Sequence, residues 1–145
     1  MATRSRIGIE LPNGVVLSIY SHWDGYPEHN GTLLSEHYNT REKVTELISL
    51  GDISSLRARV KPNDNEEHSF ENSVEDVTVV YHRDRGEEYS LPRADQNKDE
   101  FKKSDVEEWG YLFTKENEWV VVEGYAEKGR RFAKLENVLK KLEVE

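Results

Sequence analysis

The chain contains no cysteine and no long apolar run. Without cysteine it can form no disulfide framework, no thiolate zinc site and no cysteine nucleophile, a pattern typical of reducing compartments. No stretch approaches the roughly 20 apolar residues that cross a bilayer, and the N-terminal residues lack the apolar region of a signal peptide. These absences predict a soluble cytoplasmic protein without a membrane partner.

Positive charge is also scarce. The 145 residues include 20 Lys and Arg against 29 Asp and Glu, for a net charge of −9. Because affinity for a phosphate backbone comes from clustered basic residues, we expect no nucleic-acid partner. Three Trp and seven Tyr separate the chain from disordered sequences. We therefore predict one domain over residues 1–145, with an acidic surface loop at 62–76 that has no Lys or Arg.

The strongest local signal predicts a β-hairpin of strands 6–11 and 15–21. Asn13 and Gly14 favour a two-residue turn, which pairs Pro12 with Val15. This register predicts one face that carries alternate apolar residues of both strands and an opposite face with the remainder. The first face is predicted to hold Ile7, Ile9, Leu11, Val16 and Tyr20, and the opposite face Val15, Leu17 and Ile19.

The rest of the chain indicates an α+β fold. We expect an antiparallel or mixed sheet of about five strands, a capped central helix and an amphipathic C-terminal helix. The central helix begins at a capping box formed by Asn39 and Glu42 and ends at Gly51. The other predicted elements are a helix at 31–38, a short capped turn at 52–56, a central strand at 77–81, a helix at 98–109, a hairpin of 111–113 with 119–122, and the C-terminal helix at 131–143.

The usual enzyme signatures are missing from the sequence. There is no phosphate-binding loop motif, dinucleotide fingerprint or nucleophile elbow. His22, Asp24, His29 and His37 lie near one another along the chain without the spacing of metal ligands. The sequence therefore predicts neither a cofactor nor a metal.

Two segments are dense in chemically active groups. The first, at 21–27, carries His22, Trp23, Asp24 and Tyr26 in a connection after the hairpin. Its aromatic rings could stack on a base or sugar, and its polar groups could bind an adenine edge or a ribose hydroxyl. The alternative is a local turn in which Trp23 packs back on the hairpin.

The second segment follows the strand predicted at 77–81. Tyr81, His82, Arg83, Asp84 and Arg85 stand in sequence there. Two guanidinium groups on either side of a carboxylate can form a forked phosphate clamp. The alternative is a surface network of ion pairs without a function.

Blocks at 4–8, 20–27, 37–39, 50–56 and 82–87 resemble a family of small proteins encoded by tailed bacteriophages. The resemblance extends from about residue 4 to residue 122 and is carried above all by the Trp-Asp-Gly-Tyr-Pro and Arg-Asp-Arg-Gly-Glu blocks. The chain looks like the anti-Thoeris sponges, which sequester cyclic ADP-ribose isomers made by bacterial TIR-domain defence proteins. That likeness implies a homo-oligomer in the cytoplasm of the infected host that binds its ligand without chemical conversion and is not an enzyme.

A cyclic ADP-ribose isomer offers a pyrophosphate, two riboses and an adenine. On that ligand we expect Arg83 and Arg85 to bind phosphate, Trp23 or Tyr81 to stack on the base, and Asp24 to accept ribose hydroxyls. Two other functions remain open. One is a nucleotide-hydrolysing enzyme in which His22 and Asp24, or His82 and Asp84, form the acid-base pair. The other is an acidic decoy whose acidic surface and C-terminal helix bind a basic host protein.

Overall fold

The computed structural model, which describes residues 3–103, 108–123 and 131–144, begins with the hairpin of β1 (Ser5–Glu10) and β2 (Val16–Ser21). The turn has three residues. Leu11 N–H donates to Val15 O and Gly14 N–H donates to Leu11 O, both at 2.8 Å, while Gly14 has φ +90°. A type I turn followed by a left-handed glycine is a common three-residue hairpin connection. The predicted two-residue turn is therefore wrong.

The extra turn residue changes which side chains share a face. Ile7 pairs with Ile19 and Ile9 pairs with Leu17. Paired residues lie on the same face, and a shift by one residue exchanges the faces. The predicted grouping of Val16 and Tyr20 with the isoleucines of β1 is consequently wrong. These two residues pair with Glu10 and Arg6 on the opposite face.

Six further strands complete a mixed sheet within the described residues. They are β3 (Ile53–Ser55), β4 (Val79–Val80), β5 (Arg93–Asp95), β6 (Trp109–Phe113), β7 (Trp119–Glu123) and β8 (Arg131–Lys134). The order is β4-β3-β2-β1-β6-β7-β8, and β5 pairs with β2 beside β3. The pairs β1–β6 and β2–β3 are parallel and the others are antiparallel. The sheet has eight strands, so the prediction of about five is too low.

The helices are α1 (Thr32–His37), α2 (Arg41–Ser49), α3 (Tyr81–Arg85), α4 (Lys98–Lys103) and α5 (Leu135–Val144), and a turn of π-helix at Pro27–Gly31 precedes α1. Within the described residues, none of these helices has the length and apolar character needed to cross a bilayer. The predicted central helix is confirmed as α2, and Gly51 follows it with φ +78°. Its N-cap is Thr40, whose hydroxyl accepts the N–H of Lys43, so the predicted capping box at Asn39 is wrong.

The main core lies between one face of the sheet and helices α1, α2 and α5. It includes Ile7, Ile9, Ile19, Leu34, Val44, Leu47, Tyr111, Phe113, Val121 and Leu135. The opposite face carries a smaller cluster in which Phe101 of α4 packs with Val16, Leu112 and Val122. Burial on both faces of one sheet makes the described residues a single α+β domain.

Several predicted elements differ from those in the structure. The capped turn at 52–56 is strand β3, and the central strand at 77–81 is the two-residue edge strand β4. The helix predicted at 98–109 ends at Lys103 within the described residues, and Trp109 begins β6. Val106, predicted as one of its apolar contacts, lies outside the described residues. The C-terminal helix is confirmed from Leu135, whereas 131–134 form β8.

Candidate ligand-binding site

The loop after β2 is held by its main chain. His22 N–H donates to Ile53 O at 3.2 Å and Trp23 N–H to Ser54 O at 3.0 Å, which extends the pairing along β3. Gly25 N–H donates to Thr3 O at 2.8 Å, and its carbonyl accepts the hydroxyl of Tyr111 at 2.6 Å. Four hydrogen bonds therefore fix this backbone without using the side chains of the loop itself.

The Asp-Gly pair in this loop has a steric reason. Asp24 has φ +55°, a left-handed conformation that costs a non-glycine residue free energy. A Cβ on Gly25 would lie 2.7 Å from Ser5 Cβ and 2.9 Å from Thr3 O. Only glycine fits against that backbone.

The aromatic side chains of the loop are accessible. Trp23 is 44% exposed and Tyr26 is 36% exposed. The ring of His22 stands edge-on to Trp23 at 4.8 Å between centroids, and its Nδ1 lies 2.7 Å from the hydroxyl of Tyr20. Nearly half of the Trp23 side chain therefore remains open to solvent.

Tyr26 and Asp24 form a polar pair at the same surface. The hydroxyl of Tyr26 donates to Asp24 Oδ1 at 3.3 Å. The negative charge of Asp24 raises the pKa of Tyr26 above its ordinary value. The pair is a hydrogen bond in which Tyr26 is the donor and Asp24 the acceptor.

A shallow hollow of about 470 Å³ adjoins this loop. Its lining mixes hydrogen-bond donors with carboxylates and hydroxyls and consists of Asp24, His29, Ser55, Leu56, Arg57, Ser73 and Glu75. His29 is positioned through Asn30, whose Oδ1 lies 2.8 Å from His29 Nδ1. The amide of Asn30 is buried and donates to Ser5 and Ser21. The wall of the hollow is therefore anchored in the strands.

Arg57 is the arginine of this hollow, and it was not among the residues predicted from the sequence to contact a ligand. Its Nη1 donates to Ser73 Oγ and to Val74 O, both at 3.0 Å. These bonds hold the guanidinium between the end of β3 and the acidic segment 62–76. The signal in the sequence was weak, since Arg57 is one of three basic residues that alternate along residues 57–61.

The guanidinium of Arg83 makes hydrogen bonds to other residues of the chain. It donates to Val60 O and Thr78 O, the latter at 2.7 Å, and to Asp84 Oδ1 at 2.8 Å. These acceptors connect α3 to two other segments of the chain. The guanidinium of Arg83, which was predicted to bind phosphate, therefore already donates to acceptors of the chain itself.

Asp84 lies at the centre of this network. Its side chain is 3% exposed and accepts from Val80 N–H at 2.8 Å and from His68, whose own side chain is 1% exposed, at 3.1 Å. Burial by itself raises the pKa of Asp84, but the hydrogen bonds from Arg83 and Val80 outweigh it, so the pKa is below its ordinary value. Asp84 is therefore an internal carboxylate.

His68 was not selected by the sequence analysis, because it stands alone within the acidic segment. Val74 N–H donates to its Nδ1 at 2.9 Å, so that nitrogen carries no proton. The proton on Nε2 then points to Asp84 Oδ2. Both ring nitrogens are used to attach segment 62–76 to α3.

The remaining residues of the second motif lie nearer to solvent. Arg85 packs its guanidinium 4.8 Å from the ring of Phe70, which stacks on Tyr81 at 6.3 Å. His82 Nδ1 lies 2.9 Å from Glu87 O. Residues 82–85 belong to α3, and Gly86 caps the C-terminus of that helix with φ +77°.

The two predicted motifs leave opposite ends of β3. Trp23 bonds to Ser54, near the end of that strand, whereas Tyr81 N–H donates to Asp52 O, before its beginning. β4 runs antiparallel to β3, so α3 continues away from the Trp23 loop. Within one chain the two motifs therefore do not form the single pocket that was predicted.

Comparison with known proteins identifies no relative of this chain. No family model, curated protein or solved structure matches the chain. Within residues 3–103, 108–123 and 131–144, no three His, Asp or Glu side chains lie close enough together to hold a metal ion. What the site can bind therefore follows from its own groups: a planar aromatic surface at Trp23 and a polar hollow with Arg57 beside it.

Proposed function

We propose that the protein binds a small nucleotide signal, a cyclic ADP-ribose isomer, at the Trp23 loop and sequesters it without chemical conversion. The observation that carries the proposal is an exposed indole on a backbone fixed by four hydrogen bonds, beside a hollow that contains Arg57. A preorganised surface loses little conformational entropy when a ligand binds. Trp23 is therefore the principal contact.

The chemistry of the hollow supports this class of ligand. An indole face stacks on an adenine ring, and a guanidinium with neighbouring hydroxyls binds phosphate oxygens. Asp24 and Glu75 provide acceptors for ribose hydroxyls. A volume of about 470 Å³ lies within the range of about 300–1,000 Å³ that is typical of small-molecule sites.

Sequestration is favoured over hydrolysis by the positions of the candidate acid-base groups. Asp84 is buried against His68 and Arg83, and His22 Nδ1 is paired with the hydroxyl of Tyr20. A general base must reach the proton that it removes. Neither proposed His–Asp pair has both of its members directed towards a shared cavity.

The biological setting follows from the resemblance to phage sponges. In that setting the protein acts in the cytoplasm of an infected bacterium and removes the signal of a TIR-domain defence system. Homo-oligomerisation, which we also propose, would allow a second copy to close the shallow hollow over the ligand.

Calorimetry against a panel of cyclic nucleotides and cyclic ADP-ribose isomers tests the proposal. Base stacking on an aromatic side chain is worth about 1–3 kcal/mol, so Trp23→Ala should weaken binding by about 5- to 150-fold. Arg57→Gln should have an effect of similar size because it removes the phosphate contact. Arg85→Gln, which removes a charge beyond the other end of β3, is the matched control and should bind as the wild type does.

Two results would contradict the proposal. Wild-type affinity in both Trp23→Ala and Arg57→Gln would remove the site from consideration. Heating the purified complex should release the ligand unchanged, and recovery of an altered product with turnover would make the protein an enzyme.

A further inference from the structure

The hollow beside the Trp23 loop takes part of its wall from the acidic segment. Ser73 and Glu75 of that segment line the hollow together with Arg57. Val74, which stands between them in the chain, is half-buried, and its carbonyl accepts Arg57 Nη1–H at 3.0 Å. The position of this one residue therefore affects three residues that line the hollow.

The side chain of Arg57 depends on the acidic segment, whereas its main chain is fixed separately. Its N–H donates to Thr78 Oγ1 at 3.0 Å, and its carbonyl accepts the hydroxyl of Tyr38 at 2.6 Å. Nη1 donates to Ser73 Oγ and Val74 O, while Nε and Nη2 make no hydrogen bond within the described part of the chain. The acceptors of Nη1 thus set the direction of two nitrogens that can bind a phosphate oxygen.

A buried histidine holds Val74 from the other side. Val74 N–H donates to His68 Nδ1 at 2.9 Å, and His68 Nε2 lies 3.1 Å from Asp84 Oδ2. Because the side chain of His68 is 1% exposed, water has little access to either ring nitrogen. A continuous chain of hydrogen bonds therefore connects the carboxylate of α3 to Arg57 in the hollow.

Other contacts attach the acidic segment without the ring of His68. Arg59 contacts the carboxylates of Glu66 and Asp76 at 2.9 and 2.7 Å. Phe70 N–H donates to the main chain of α3 at 3.0 Å. The segment therefore stays attached when the ring of His68 is replaced, and the local effect falls on the backbone N–H that this ring accepts.

We infer that His68 is a positioning residue of the hollow, which acts through Val74 to hold the Arg57 guanidinium in the direction that binds a phosphate oxygen of the ligand. This role rests on the proposed function, in which Arg57 contacts phosphate. A guanidinium whose direction is already set loses less conformational entropy when it binds. Stacking on Trp23 does not use this chain of bonds, so His68 favours phosphate-bearing ligands over nucleosides.

Two substitutions separate the roles of the two ring nitrogens. The side-chain oxygen of asparagine takes the place of Nδ1 and accepts an N–H, whereas the side-chain nitrogen of glutamine takes the place of Nε2 and donates. His68→Asn thus keeps the support of Val74 and loses the bond to Asp84, and His68→Gln does the reverse. If His68 served stability alone, neither variant would change the preference between two ligands.

ADP-ribose and adenosine are suitable probes, because both contain adenine and only ADP-ribose contains phosphate. Titration of the full chain can be followed by amide chemical shifts. His68→Gln should bind ADP-ribose about tenfold more weakly than the wild type, a change of about 1.4 kcal/mol, and adenosine within about twofold of it. His68→Asn should bind both probes within about threefold of the wild type. His37→Gln, at a histidine of α1 whose side chain is 42% exposed, is the matched control and should bind both as the wild type does.

Hydrogen exchange of the Val74 amide tests the same link without a ligand. In His68→Gln this amide should exchange at least about tenfold faster than in the wild type, and in His68→Asn within about threefold of it. Unchanged exchange in His68→Gln, or equal weakening of both probes, would overturn the inference.

The proposed function and the inference fail in different ways. If the wild type binds neither probe, the proposed function is wrong and the role of His68 in binding is lost with it. If the wild type binds both probes and His68→Gln keeps the wild-type preference for ADP-ribose, the proposed function stands and only the positioning role is wrong.

Discussion

Two segments of similar composition, 22–26 and 81–85, are held in place in opposite ways. In the first, main-chain hydrogen bonds from His22, Trp23 and Gly25 fix the loop, and its aromatic side chains remain exposed. In the second, the side chains of Arg83 and Asp84 make the bonds that attach α3 to its neighbours. A segment fixed by its backbone leaves its side chains available for a ligand, whereas a segment fixed by its side chains has already used them.

The largest expected effect tests the internal role of the second segment. Asp84→Ala removes the acceptor of a buried histidine, an arginine and a backbone N–H, which should lower the free energy of unfolding by about 3 kcal/mol. Urea unfolding followed by circular dichroism measures the change. Asp64→Ala, at an exposed position of the acidic segment, should change it by less than about 0.5 kcal/mol. Equal stability of the two variants would show that the Asp84 side chain does not hold segment 81–85 in place.

Part of the stabilisation by Asp84 depends on pH. Its pKa in the folded state is lowered from an ordinary value of 3.8. The contribution is therefore complete above the unfolded pKa and is lost as pH falls through the folded pKa. Below about pH 4, wild-type stability should fall more steeply than that of Asp84→Asn, measured by urea unfolding at several pH values. Parallel curves would show that the carboxylate is not held in its charged form.

A smaller effect is expected where the first segment approaches the N-terminal strand. Gly25→Ala would push a Cβ against Ser5 and the Thr3 carbonyl and should cost about 2 kcal/mol. Gly86→Ala has nothing within 4 Å of the added methyl group and should lose only the left-handed preference, about 1 kcal/mol. Thermal unfolding of the two variants separates steric contact from backbone preference. A smaller loss in Gly25→Ala than in Gly86→Ala would contradict the close approach.

The hydroxyl of Tyr111 is the next test of the fixed loop. Tyr111→Phe leaves the buried Gly25 carbonyl without this donor and should cost about 1 kcal/mol in unfolding free energy. Tyr89→Phe removes a similar bond to Ser49 O from a more exposed tyrosine and should cost about 0.5 kcal/mol or less. Chemical unfolding of the pair measures both values. An equal loss would mean that the Tyr111 bond does not hold the loop more firmly than a surface contact does.

The smallest effect has the opposite sign. Asp24→Gly relieves the left-handed conformation and should raise the unfolding free energy by up to about 1 kcal/mol. The same change removes a carboxylate from the proposed site, so calorimetry should show weaker nucleotide binding. Stability and binding would then move in opposite directions at one residue. A loss of stability would show that the Asp24 side chain, rather than a ligand, accounts for the strained backbone.

Much of the fold could be predicted where patterns are local. Helix α2 has three buried apolar residues at helical spacing and a glycine stop, and the hairpin of β6 and β7 has two apolar runs around a polar turn. The register of the first hairpin could not be predicted in the same way. The chain can close a two-residue loop between Pro12 and Val15 or a three-residue loop between Leu11 and Val15, and the choice exchanges the faces of β2.

The short strand β3 was missed because its stabilisation is not local. It has three residues and is defined by pairing with Ser21 on one side and with β4 on the other. No hydrophobic period exists over so few residues. The position of β3 also decided the site, because β3 separates the two motifs that were predicted to form one pocket.

The candidate site was predictable only in part. The exposed Trp23 follows from an aromatic residue placed in a turn, whereas the internal use of Arg83 depends on carbonyls of Val60 and Thr78, which no local pattern connects to it. Arg57 gains its importance from contact with Ser73 and Val74, across an irregular segment. Such contacts are products of tertiary structure.

The parallel pairing of β1 with β6 has a consequence for synthesis. The hairpin of β1 and β2 can form soon after it leaves the ribosome, but the other edge of β1 pairs with Trp109–Phe113, which are translated much later. Until then a strand rich in isoleucine carries an open edge, and such edges recruit other chains. The nascent protein therefore passes through a period in which its future sheet centre is its most vulnerable edge, and rapid completion of the chain protects it.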